Sequence, residues 1–370
     1  MRYLVSALVA PASLALCLAV STPASAAAVT LARAPRSVRL QYLSGVSCPT
    51  TSRCLAGGVD HSGAVILATS DGGSHWTAIA ALRSVQFVVA LDCASVSDCL
   101  VATLPRSGDR PLVYSTTDGG HHWTGFGVPK QVNVVSSFSC TGPSDCRAVG
   151  TNVNSVIVLS TSNLGRSWKA TRTKLPTAMS NAPGISCASA SHCVVVADGS
   201  LTTTNGGRTW VRHPLTRGAY NLDNVSCRSI SHCVAAGNVT SAVPNFESAD
   251  LLTSANGGTG WAIRVRKVAR VTTLNDLSCS TARSCVAVGN GYTLSGPTAN
   301  PTFHFFGVVE RTTNGGVTWR PSSHKAASSL NEVSCVPRTL VCVAVGQTKS
   351  GSIIMRTTNA GASWATETLP

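Results

Sequence analysis

Cysteine is the residue in this chain best placed for covalent chemistry, and all but one of its 15 cysteines come in close pairs. The pairs are Cys48/Cys54, Cys93/Cys99, Cys140/Cys146, Cys187/Cys193, Cys227/Cys233, Cys279/Cys285 and Cys335/Cys342. Six are C-x5-C and the last is C-x6-C. An even count at fixed, short spacing predicts local disulfides, which persist in oxidising compartments. Metal binding would need denser clusters with histidine partners. Only two pairs have a neighbouring His, His192 and His232. A second group with chemical potential precedes three of the pairs: Asp223-Asn224, Asn275-Asp276 and Asn331-Glu332. No G-x-S-x-G, H-E-x-x-H or phosphate-cradling loop is present, and the nine His are scattered. No cofactor is expected.

Elements must hold these groups, and a second repeat supplies them. A phrase of Ser or Thr, any residue, Asp or Asn, a Gly-containing stretch and a closing Trp recurs at Thr69–Trp76, Thr116–Trp123, Thr161–Trp168, Thr203–Trp210, Ser254–Trp261, Thr312–Trp319 and Thr357–Trp364. All seven Trp close a copy. The cysteine pairs and Trp phrases alternate, and their period of roughly 40–56 residues fits four short strands per unit. Apolar runs end at each first Cys and begin at each second, as in Cys342-Val-Ala-Val-Gly346. Alternation over four to eight residues between Gly, Asn, Asp and Ser predicts strands. The longest insertions fall around Val239–Leu251 and Gly291–Phe306.

Residues 1–26 read as a secretory leader: Arg2, an apolar run from Tyr3 to Val20, and small residues at Ala24-Ser25-Ala26. An uncleaved anchor is the rival reading. No other run is long enough to span a membrane. Residues 27–38 form a short connecting segment and 39–370 the repeat domain. Formal charge is +14, with 29 Lys plus Arg against 15 Asp plus Glu. That balance suits an acidic protein face or anionic envelope polymer. Nucleic acid is disfavoured, because the Trp residues belong to the repeat. Two basic runs, Arg166/Lys169/Arg172/Lys174 and Arg264/Arg266/Lys267/Arg270, are expected on a solvated outer rim.

The phrase Thr203-Thr-Asn-Gly-Gly-Arg-Thr-Trp210 resembles the Asp-box, or bacterial neuraminidase repeat. Seven in tandem resemble an all-β, seven-bladed β-propeller with four antiparallel strands per blade and, here, one disulfide in each. The nearest resemblance is to photosystem II assembly-factor-like propellers, with sialidase-like ones beside them. The box is then a hairpin turn between a blade's third and fourth strands, with Asp71, Asp118, Asn163, Asn205, Asn256, Asn314 and Asn359 as turn residues. Leu164 and Ala360, each replacing one Gly, and Gly260, replacing a Thr or Ser, are expected to loosen their turns. Each blade is expected to come from consecutive chain, from Arg39–Val46 to Ala365–Leu369; pairing of Ala28–Arg33 into the last blade is the alternative. The resemblance puts Asp223, Asp276 and Glu332 on innermost strands at the central channel, as a ligand or cation contact zone. A sialidase-like site needs three Arg, a Tyr nucleophile with an acidic partner, and an Asp. Its Phe/Tyr-Arg-Ile-Pro motif is absent, and Tyr220 near Asp223 is the only local Tyr–carboxylate pairing. The expectation is a secreted, monomeric, non-catalytic binding or assembly module; a carbohydrate-active or lectin-like propeller is the alternative.

Overall fold

The computed structural model describes residues 38–370 apart from 83–84, 106–109, 154, 174, 176–182, 216–219, 240–247, 266–270, 272, 297–301 and 325. The expected leader over residues 1–26, Ala28–Arg33, Lys174, Arg266, Lys267, Arg270 and most of the Val239–Leu251 insertion lie outside the described residues. The described chain folds into seven four-stranded sheets, each with its strands in consecutive order and antiparallel. No helix among the described residues is long and apolar enough to cross a membrane.

The first strands are Tyr42–Ser47, Val85–Cys93, Val134–Cys140, Gly184–Cys187, Tyr220–Cys227, Thr273–Cys279 and Ser329–Cys335. Each packs against the first strands of both neighbouring blades, so the seven form a closed inner ring. The sequence pattern suggested alternating strands, but the middle strands are buried on both faces. Val343, Ala344 and Val345 are all fully buried. Stacked blades bury both faces of a middle strand, which makes it continuously apolar. The apolar clusters lie between blades: Val343, Val345 and Ile354 of blade 7 pack with Val46, Val65 and Leu67 of blade 1. The outermost strands are more exposed. Lys169 and Arg172 sit on one, Lys169–Arg172, and Arg264 on another, Ala262–Val265, as expected of a charged rim.

Among the described residues, ring closure borrows no strand. The last blade is built from Ser329–Thr366, and Thr368 then forms a bridge to His75 in the first blade's turn. All seven predicted disulfides form, each joining the end of a first strand to the start of the second. They are Cys48–Cys54, Cys93–Cys99, Cys140–Cys146 and Cys187–Cys193 in blades 1 to 4. Cys227–Cys233, Cys279–Cys285 and Cys335–Cys342 follow in blades 5 to 7. In six blades the two cysteines are direct cross-strand partners, as Cys279 and Cys285 are. Such closures of about seven residues contribute roughly 2 kcal/mol apiece in the chain-entropy account.

The Trp phrases form the turns between third and fourth strands. In blade 4 the Thr203 hydroxyl donates to Asn205 Oδ1 at 3.0 Å and accepts from the Gly207 N–H at 2.9 Å. Asn205 Oδ1 also accepts from the Thr209 N–H at 3.0 Å. Backbone bonds of 2.8–3.1 Å then tie every turn to its own blade's disulfide loop, from Gly72 N–H to Ser52 C=O through Ala360 N–H to Leu340 C=O. The two sequence repeats thus fuse at one end of each blade. Leu164 and Ala360 do not loosen their turns, which keep the same bonds: Gly165 and Gly361 N–H each reach the box Thr at 3.0 Å. The substitution is absorbed as left-handed backbone, φ 52° and 56°. Gly260 keeps its backbone bond to Asn256 at 2.8 Å. With no side chain, it lacks the hydroxyl that Asn205 bonds in blade 4.

Candidate functional site

The inner ring encloses a channel of about 1070 Å³ that runs from Tyr42 and Phe87 at one end to Pro49, Ala94 and Arg228 at the other. Two tiers of side chains along its wall join neighbouring blades.

The residue before each first cysteine makes the first tier. It is Ser in six blades and Asp92 in blade 2. Its oxygen accepts the backbone N–H of the next blade's first cysteine, and this occurs at every junction. Ser47 accepts from Cys93 at 3.0 Å, Asp92 from Cys140 at 2.9 Å and Ser139 from Cys187 at 2.9 Å. Ser186 accepts from Cys227 at 2.9 Å, Ser226 from Cys279 at 3.1 Å and Ser278 from Cys335 at 3.0 Å. Ser334 closes the circle by accepting from Cys48 at 3.0 Å. A first strand has no strand partner on its channel side, so its N–H groups need such acceptors.

The disulfides themselves are not a channel site. Cys48, Cys93, Cys140 and Cys335 touch the channel wall, but their partners Cys54, Cys99, Cys146 and Cys342 do not line it. Those four open second strands, one layer further out, and all are buried. Thiolate chemistry needs an exposed sulfur in an electropositive setting. Cys54, Cys99 and Cys146 therefore act as staples between strands, and the covalent chemistry that the cysteines could have offered is spent on the fold.

Asp276 and Glu332 belong to the second tier, two residues further from the cysteine. Asp276 Oδ2 accepts the Val333 N–H at 2.8 Å, and Glu332 accepts that of Val46. Asp223 does not share their position. Pairing of its strand skips from Leu222 to Asn224, so Asp223 occupies a bulge equivalent to Asn275 and Asn331. Those two asparagines donate to the next blade's Leu330 and Leu43 carbonyls at 2.8 and 2.7 Å. The residue in register with Asp276 and Glu332 is Asn224, which donates to the Asn275 carbonyl at 3.0 Å. All three predicted residues line the channel, but the acidic group the structure assembles is Asp92, Asp276 and Glu332.

Burial pushes the Asp92 carboxyl up to about 6, against backbone donors at Cys140 and Cys93, the Ser47 hydroxyl and the opposing charge of Arg228. Burial likewise raises Asp276 to about 6. Glu332 stands well above the ordinary glutamate range, first by burial and then by the charges of Asp276 and Asp92. Tyr42 is raised by burial and by Glu332. Arg228 donates to the Cys279 carbonyl; burial lowers its pKa and Asp92 opposes that. Arg228 is the one arginine among the described channel-lining residues. No group of three His, Cys, Asp or Glu among the described residues is arranged to hold a metal ion. Sequence reasoning missed Asp92 and Arg228. The signal for Asp92 was available: it is the one acid in an otherwise invariant Ser-Cys step across the seven repeats.

The fold defines a seven-bladed β-propeller. No family model matches the chain, and no curated protein does. Solved propellers share the fold. A structure described as "YCF48 bound to D1 peptide" aligns with 89% of this chain and 96% of its own, at 16% identity and TM-score 0.58. A GH74 xyloglucanase from Xanthomonas campestris aligns with 88% of this chain and 54% of its own, at 11% identity and TM-score 0.59. Virginiamycin B lyase from Staphylococcus aureus aligns with 86% and 97%, at 11% identity and TM-score 0.58. Such similarity concerns architecture, which hosts binding proteins and enzymes alike.

Proposed function

We propose that the protein is an exported, non-catalytic propeller that binds a partner protein in the cell envelope or outside the cell. The observation that carries this reading is the use of the channel carboxylates. Asp92, Asp276 and Glu332 each accept a backbone N–H from the adjacent blade, so they serve to join the ring. A sialidase-like centre needs three Arg around the substrate carboxylate, and the described channel lining supplies Arg228 alone. Seven disulfides suit an oxidising, extracytoplasmic setting. A charge of +14 favours an acidic partner, and a propeller of the same fold is found with a bound peptide.

The test is a pull-down of the purified protein from its own envelope fraction, paired with a glycosidase panel. Saturable capture of a specific protein with no sugar release is expected. Turnover of a glycan, abolished by Asp276→Asn or Glu332→Gln, would replace this reading with the carbohydrate-active one. That second reading rests on one observation: two channel carboxyls with raised pKa values, the property a glycosidase general acid requires.

A further inference from the structure

Blade 6 carries a feature that blade 7 beside it lacks. Its second and third strands, Cys285–Ser295 and Thr302–Thr312, are 11 residues each. Blade 7's equivalents, Cys342–Gln347 and Ser352–Thr357, have 6 each. Blade 6's first strand pairs only as far as Asn290, and its fourth only as far as Gly307. Beyond those residues, 291–295 and 302–306 pair, among the described residues, with one another alone. They form a two-stranded ribbon, and among the described residues neither outer edge has a strand neighbour.

The ribbon's chemistry is unusual for this chain. Residues 291–306 contain no Asp, Glu, Lys or Arg. Cross-strand partners Tyr292 and Phe305, and Leu294 and Phe303, share one face. The Tyr292 ring meets Phe303 at 5.1 Å and Phe305 at 6.2 Å. Phe303 and Phe305 lie near-parallel at 6.2 Å. Leu294, Phe303 and Phe305 are 54%, 49% and 53% exposed. Within the blade, this same side of the sheet packs Val286, Val288 and Val309 against blade 7. Blade 7's hairpin closes at Gln347 and Ser352, the level of Asn290 and Gly307 in the repeat. The described part of blade 7 therefore ends where the aromatic face begins, with Lys349 in its turn.

An exposed aromatic face and two open backbone edges together select the occupant. An isolated two-stranded ribbon is marginal in water, and its edges present unpaired N–H and C=O groups as a template. Hydrocarbon cannot satisfy those groups. A sugar ring can stack on the aromatics but does not continue the backbone ladder. An extended polypeptide does both: it pairs with an edge and lays every second side chain over the rings. The excess of 29 basic over 15 acidic residues sets the sign of its remaining side chains.

We propose that the blade 6 ribbon is a strand-addition site for an extended, acidic segment of a partner protein with apolar residues at alternate positions. This deepens the protein-binding reading and rests on it.

The test uses the whole protein and a displayed library of ten-residue peptides, selected on wild type and on Phe303→Ser/Phe305→Ser. Enriched peptides should alternate apolar and acidic residues and bind the double variant at least ~10-fold more weakly, the effect of losing central aromatic anchors. Because the variant can also unfold the ribbon, hydrogen exchange on wild type provides an independent measurement. A bound peptide should slow the amides of 291–295 or 302–306. Equal binding by the variant, protection elsewhere, or binding of phosphatidylglycerol vesicles or insoluble polysaccharide through these residues with no peptide enriched would each overturn the proposal. Envelope capture that persists undiminished in the double variant would sink the ribbon site alone. Absence of any capture by wild type, with a glycan hydrolysed, would sink the functional reading instead.

Discussion

Replacing Ser226 by Ala tests whether the inner ring of side-chain acceptors holds the blades together. The change removes the acceptor for the Cys279 N–H, 3.1 Å away at the junction of blades 5 and 6. Both residues are buried, so water does not substitute. A buried donor left without a partner costs ~1–3 kcal/mol, while the lost hydroxyl volume is small. The ladder between Thr273–Cys279 and Cys285–Ser295 is untouched, so the loss concentrates on the contact between blades. Native-state hydrogen exchange should show the Cys279 amide exchanging ~10–100-fold faster, and the urea midpoint should fall with an unchanged slope. Ser226→Asp supplies the counter-test, because Asp92 already plays this part in blade 2 at 2.9 Å. That variant should behave like wild type near pH 3.5, where a carboxyl raised as Asp92 is, to about 6, is neutral in the folded protein and largely neutral in the unfolded chain as well. It should weaken by pH 8, when the buried group must ionise. A Cys279 amide as protected in Ser226→Ala as in wild type would refute the reasoning. So would a Ser226→Asp variant as damaged as Ser226→Ala near pH 3.5.

The raised carboxyls make stability pH-dependent in a definite direction. Asp92 and Asp276 titrate near 6 in the folded protein and near the ordinary 3.8 when unfolded. The folded state therefore binds more protons between those values. Their contribution is full below about pH 4 and is lost as pH rises through 6, at most ~3 kcal/mol each. Urea unfolding should accordingly show higher stability at pH 5 than at pH 8, and Asp92→Asn with Asp276→Asn should flatten the slope while keeping the N–H acceptors. Ala360→Gly should raise stability by up to ~1 kcal/mol, since Ala360 sits at φ 56° where a Cβ is strained; an unchanged or lower thermal midpoint would contradict this. Replacing both Cys279 and Cys285 by Ala should lower stability by roughly 2 kcal/mol, read as a fall in the urea midpoint under non-reducing conditions.

How much of this was legible follows from which contacts are local. The disulfides, the Trp turns and the consecutive four-strand blades are set by residues at most a few dozen positions apart, and each recurs seven times. The channel was only half legible. Asp223, Asp276 and Glu332 all lie on inner strands, but Asp223 stands four residues before its cysteine and the other two stand three before theirs, an offset already present in the sequence. What periodicity does not reveal is the bulge that all three strands share at the fourth position, which turns that offset of one residue into a different place on the wall. The Ser-Cys step was visible in six blades, yet its partner lies in the next blade, from 41 residues away at Ser186 and Cys227 to 286 at Cys48 and Ser334. Only closure of the ring makes that pairing.

The same closure explains why a protein can tolerate acids in its inner wall. A lone buried carboxylate is costly unless it finds donors. Here every blade offers the same free N–H groups to its neighbour, so a carboxylate can replace a serine or amide without disturbing the backbone, and its raised pKa limits the charge that must be buried. The repeat thus fixes where acidic residues are admissible, whatever they bind. The aromatic ribbon obeys no such rule: it rises beyond the last shared backbone bond of blade 6, where the ring neither demands nor supports a particular side chain. Leu294, Phe303 and Phe305 are exposed there and belong to none of the apolar clusters between blades, whereas Phe306 on the opposite face packs against one; the proposed docking surface is therefore distinct from the residues that hold the propeller together.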